Sequence, residues 1–168
     1  MKKLTPFLLI SVFILFIVAL FLSLGKVQKM VVIKEGNIQK VPLEIVLNKY
    51  QDSDCGMVIK DRTYLSEVIA PDGKTWFFHD HGDFVHWLED KPFKDEAVIW
   101  VRTKDTKRWL HAQDAYYSLN DITPMGYGFG AYEKNQKNFV SYDTFRLKML
   151  RGETMKDPKI RKKLLGLK

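Results

Sequence analysis

An apolar run from Thr5 to Leu24, interrupted only by Ser11 and Ser23, carries no charge at all. About twenty residues rising ~1.5 Å each cover ~30 Å, the hydrocarbon thickness of a bilayer. The stretch predicts a transmembrane helix serving as an N-terminal membrane anchor over residues 1–25. A cleavable signal has a shorter apolar core and small residues spaced Ala-x-Ala before the cut. Phe21-Leu22-Ser23-Leu24-Gly25 does not supply that site, and no cysteine lies there to be acylated. A signal cleaved at a weak site is the alternative, and it changes the attachment but not the compartment. Lys2 and Lys3 hold the short N-terminal end in the cytoplasm, opposed in part by Lys26 and Lys29. The expected location is therefore the inner membrane, with the rest of the chain in the periplasm.

That remainder suffices for one compact body. Apolar residues make up 46% of the 168 and aromatics 13%, so a real core is available and the composition is not that of a disordered chain. The net charge of +7 suggests nucleic acid only until it is located. Lys2 and Lys3 supply two charges, and the stretch Arg151–Lys168 has seven basic residues against Glu153 and Asp157, an excess of five. Residues 4–150 are then neutral, whereas a nucleic-acid-binding domain carries its charge on the body. A basic C-terminal tail, residues 151–168, leans on anionic lipid or an acidic partner, or is simply a solvated end.

Residues 26–51 read as a spacer or hairpin, with Met30–Ile33 and Val41–Leu47 as strands about Glu35-Gly36-Asn37. Cys55–Ile59 reads as a short extended segment after a polar lead-in. Tyr64–Ala70 and Lys74–His79 flank the turn Pro71-Asp72-Gly73. A helix follows from Asp80 or His81 to about Asp90, with Phe84, Trp87 and Leu88 inward and His86 outward. Ala97–Thr103 is a strand, Gln113–Tyr117 a short helical stretch, and Phe129–Glu133 a strand. Ser141 and Asp157 open two final helices. The class is α+β with small antiparallel sheets, and the order suggests two halves of hairpin, helix and strand.

Cys55 is the single cysteine, so no internal disulfide can form. In an oxidising compartment an unpaired thiol is a liability unless it is buried, metal-bound or catalytic. In an extended Cys55-Gly56-Met57, thiolate and thioether point the same way, and soft sulfur ligands select copper(I). Met125, between Pro124 and Gly126, is a candidate third ligand, and equally a loop methionine closing over the core. His79, His81 and His86 offer a competing Cys-His zinc site. His81 can look toward a site at the strand ends. His79 reads rather as a satisfied histidine on a sheet surface, and His111 is ambiguous. No Cys-x-x-Cys pair and no phosphate loop is present, because Gly126-Tyr127-Gly128-Phe129-Gly130 precedes a strand and not a helix.

Cys55-Gly56-Met57, the segment Phe78–Leu88, Trp109-Leu110-His111-Ala112 with Ala115-Tyr116-Tyr117, and Thr123-Pro124-Met125-Gly126 leading to Phe129-Gly130-Ala131-Tyr132 together resemble the NosL family over residues 52–150. The resemblance implies a periplasmic copper(I) metallochaperone, not an enzyme, built of two ββαβ-type units. It implies Cu(I) ligation by Cys55 and Met57, with Met125 favoured as third ligand and His81 in reserve. Its implied partners are nitrous oxide reductase and the membrane-bound ABC-type complex that matures it. The uncleaved anchor and the basic tail depart from the family pattern and put the client in question more than the metal. A membrane-anchored interaction module with an incidental thiol and a thiol-dependent enzyme are the other two classes that fit the sequence.

Overall fold

The computed structural model describes residues 5–24 and 29–167. Lys2, Lys3 and Lys26, on which the orientation of the N-terminal helix rests, lie outside the described residues. Helix α1 spans Thr5–Leu24, and its side chains from Phe7 to Ser23 are exposed. Among the described residues no helix is long and apolar enough to cross a membrane.

The body is α+β. Strands β1 (Ile33–Lys34), β2 (Ser66–Ile69), β3 (Thr75–Phe78), β4 (Val98–Arg102) and β5 (Trp109–His111) form one antiparallel sheet in the order β1-β3-β2-β4-β5. A second, two-stranded sheet pairs β6 (Tyr116–Tyr117) with β7 (Ala131–Tyr132). Helices α2 (His81–Glu89), α3 (Tyr142–Leu150) and α4 (Pro158–Leu164) complete it. The β2–β3 hairpin closes where the sequence places it, with Ile69 opposite Thr75 and Gly73 at φ 82° in the turn. A β-carbon on Gly73 would press on the Asn37 backbone at 3.0 Å, so the turn both needs the left-handed angle and admits a close approach.

Alternation along the strands divides the core. Val68, Phe78, Ile99 and Val101 face α2 and α3, where they pack with Phe84, Leu88, Tyr117, Phe129 and Phe145. Phe77 points to the other face, against Ile45, Tyr50, Ile59 and Leu65. Asp80 caps α2, its carboxylate accepting from Gly82 N at 3.0 Å, and His86 is exposed as the periodicity predicts.

Three expectations are corrected. Val41–Leu47 is not a strand and does not pair with Met30–Ile33. Pro42 lacks a ladder donor, and the Leu43 N–H is taken by the buried Glu67 carboxyl group at 3.0 Å; β1 pairs with β3 instead. Gln113–Tyr117 is not one helical stretch, because a single 3-10 turn over Ala112–Asp114 gives way to β6. Only one complete hairpin-helix-strand unit, β2-β3-α2-β4, is found; among the described residues no strand follows α3.

Candidate metal centre

Cys55 sits in a turn. Asp52 Oδ1 accepts from Asp54 N (2.8 Å) and Cys55 N (3.1 Å), Gly56 N donates to Asp52 O (3.1 Å), and Asp52 N donates to Met57 O (2.8 Å). Gly56 adopts φ 74°, which closes the loop and is costly for any residue with a β-carbon. Cys55-Gly56-Met57 is therefore not extended, and the alternation argument for pointing both sulfurs the same way does not apply. An aspartate three residues before the cysteine, with glycine next, is the signature of a side chain capping its own loop. The neighbouring Gln51–Val58 bridge holds the loop's two ends together.

What the loop presents to Cys55 is the end of β3 and the first turn of α2. Cys55 Sγ lies 3.8 Å from His79 Nδ1. The same nitrogen lies 2.7 Å from Asp52 Oδ2 and 3.3 Å from Asp83 Oδ2. One ligand atom from each of Asp52, Cys55, His79 and Asp83 can be chosen so that all lie within 4.8 Å of one another. Nδ1 has one proton to give, and the 2.7 Å contact directs it to Asp52. Asp83 is fully buried, and neither of its oxygens has a hydrogen-bond donor, so its contact with His79 is one of charge alone. A buried carboxylate without donors is costly unless a cation is close by.

The protonation states follow from this crowding. Burial disfavours the His79 imidazolium, but the bond to Asp52 and the charges of Asp52 and Asp83 outweigh it and raise its pKa to about 9. Burial raises Asp83, with the charges of Asp52 and Asp80 adding to it. Burial opposes ionisation of Asp52 too, but its bonds to His79 and to the loop N–H groups leave it below the usual carboxylate value. The Cys55 thiol is pushed up to about 12, first by burial and then by the charges of Asp52 and Asp83, although the Met57 backbone N–H favours the thiolate. That is the opposite of an activated nucleophile. A metal cation beside the sulfur would reverse the balance, since a coordinated thiol gives up its proton.

Met57 is 44% exposed and lines a cavity of about 360 Å³ with His79 and Pro124. Met125, half-buried, follows Pro124, and its backbone N donates to Asp80 Oδ2 at 2.8 Å. Asp80 thus fastens the Pro124–Gly128 loop to the start of α2, where the Tyr127 ring covers Gly82 so closely that a β-carbon there would collide with it. His81 is placed elsewhere. It is fully buried, with Nδ1 2.7 Å from Ser66 Oγ, Nε2 without a partner, and burial lowering its pKa to about 3. It is not in the group around Cys55. His111 stacks on Trp100 with ring centroids 3.9 Å apart. A hollow of about 600 Å³ beside Asn37 and Tyr50 lies apart from all these groups.

Asp52, His79 and Asp83 are the site residues that sequence reasoning did not select. The signal for two of them is the spacing His79-x-x-x-Asp83 across the junction of β3 and α2, which turns both side chains to one side of the capping Asp80. No family model matches the chain, and neither a curated protein nor a solved structure matches it.

Proposed function

We propose that the chain is a membrane-tethered, periplasmic carrier of copper(I). The observation behind this reading is the 3.8 Å approach of Cys55 Sγ and His79 Nδ1 beside the donorless Asp83 carboxylate. With metal–sulfur and metal–nitrogen bonds of ~2.3 Å and ~2.0 Å, that separation corresponds to a ligand–metal–ligand angle of about 120°. Cys55 thiolate and the exposed Met57 thioether at the cavity mouth are soft ligands suited to Cu(I). His79 adds nitrogen, Met125 is the further thioether on the loop that Asp80 holds, and His81 takes no part. Loading exchanges protons for the ion: the Cys55 thiol and the His79 imidazolium give theirs up, and Asp52 and Asp83 balance the charge. Delivery is ligand exchange, for which the exposed Met57 leaves an open approach.

The resemblance to NosL supplies the client, nitrous oxide reductase by way of its ABC-type maturation complex. On this reading α1 is the described part of the membrane attachment: it is not by itself long and apolar enough to cross, but its exposed phenylalanines and leucines call for lipid.

One observation favours a second reading. A thiolate, an imidazole and two carboxylates within 4.8 Å of one another also suit a tetrahedral zinc ion. Anaerobic competition against a Cu(I) chelator, repeated with a zinc chelator, separates the two. For copper, Cys55→Ser abolishes binding and Met57→Leu weakens it by about tenfold or more. For zinc, His79→Ala and Asp83→Asn abolish binding while Met57→Leu leaves it unchanged. A reduced, oxygen-free wild-type chain that cannot hold Cu(I) against the chelator rejects the carrier.

A further inference from the structure

Both ends of the body converge on the face that carries Cys55. The segment after α1 runs beside the start of the thiol loop: Val31 N donates to Lys49 O and Gln51 N to Val31 O, both at 2.9 Å, and Ser53 Oγ donates to Val32 O at 3.1 Å. Leu24 and Val31 are seven residues apart, which limits their separation to about 25 Å. At the other end, Met155 N donates to Tyr127 O at 2.9 Å, and Lys156 Nζ stands 4.3 Å over the Tyr127 ring. Tyr127 covers Gly82, next to Asp83.

From there the chain enters α4. Asp157 Oδ1 accepts from Lys159 N and Ile160 N, and Gly166 at φ 65° closes the other end as Leu167 N donates to Lys162 O at 2.9 Å. A seven-residue helix capped at both ends buries none of its residues. Lys159, Lys162 and Lys163 fall within an arc of about 100° on it, and Leu165 and Leu167 are exposed beside them.

We propose that α4 lies on anionic lipid headgroups of the membrane that α1 enters, turning the Cys55–His79 face toward that membrane. The proposal rests on the anchor reading of α1. A basic helix flanked by exposed leucines is the composition of an interfacial element, and the tether keeps it near the surface where its charges are felt. The cluster is thereby presented to a recipient embedded in the same bilayer.

The test uses the full chain reconstituted into vesicles of phosphatidylcholine, alone or mixed with phosphatidylglycerol. Flotation after a high-salt wash reports α1 insertion independently, and a chain that fails to float rejects the anchor reading. Among floating samples, amide exchange over 157–167 should be slowed by phosphatidylglycerol. In the variant combining Lys159→Glu, Lys162→Glu and Lys163→Glu it should return by about tenfold or more, since each lysine contributes separately to binding the charged surface. Equal exchange in both vesicle types overturns the proposal and leaves α4 to an acidic protein surface.

Discussion

Asp52 holds His79 at two points: Oδ2 accepts the His79 backbone N–H at 2.7 Å and lies 2.7 Å from Nδ1. The other oxygen takes the N–H groups of Asp54 and Cys55. One side chain therefore fixes the thiol loop to the end of β3. The Asp52→Asn variant keeps one oxygen but sets an amide donor against existing donors. A stability loss of about 1–3 kcal/mol is expected by urea unfolding, the usual range for stranding buried donors. The folded carboxyl titrates below its ordinary value, so its contribution is complete above that value and is lost as pH falls. The variant's acid-unfolding limb should accordingly be flatter.

Glu67 gives the opposite pH signature. It is fully buried, accepts the Leu43 N–H, and burial raises its pKa to about 8. Between ~4.5 and ~8 the folded state holds a proton that the unfolded chain has released, so stability falls as pH rises across that window. At ~1.4 kcal/mol per unit the loss reaches about 5 kcal/mol. The Glu67→Gln variant should remove this slope and be more stable than wild type at pH ~8, as measured by denaturant midpoints. An unchanged slope would show that Glu67 ionises freely in the folded chain.

Cys55 should react slowly with iodoacetamide at neutral pH. With the thiol at about 12, its thiolate fraction is roughly a thousandfold below that of a free cysteine. The Asp83→Asn variant, which removes one of the charges raising the thiol, should react faster. A wild-type rate equal to that of a small thiol would mean the cage around the sulfur is open.

Gly82→Ala tests the link between α2 and the Met125 loop. Its methyl would enter the Tyr127 ring, so the loop must move or the helix start must give way. A loss of about 1–3 kcal/mol is expected in thermal unfolding, the range for overpacking. Gly126→Ala meets nothing nearby but sits at φ 73°, so its smaller cost comes from the backbone alone.

Local signals in the sequence were legible and distant ones were not. Pro71-Asp72-Gly73 specifies its own turn, and Asp80 with the Phe84–Leu88 spacing specifies α2, because each depends on neighbours in the chain. Pro42 already argues against a strand over Val41–Leu47, but the Leu43 N–H bond to Glu67, twenty-four residues away, and the pairing of β1 with β3 have no local signal. Cys55 was identifiable as the residue needing a role. Its true surroundings were hidden because Asp52 capping and the positive φ of Gly56 turn the segment back on itself. His79 looked like a sheet-surface side chain because its partners, Asp52 and Asp83, reach it from a loop and a helix.

Cys55, His79 and Asp83 come from three stretches that meet only when the thiol loop is latched to β3 and α2 is seated. An unfolded copy is just a solitary sulfur, open to whichever thiophilic ion arrives first. On the carrier reading, discrimination between ions is a property of the intact sheet, and heat or denaturant that loosens β3 should erode selectivity in step with cohesion.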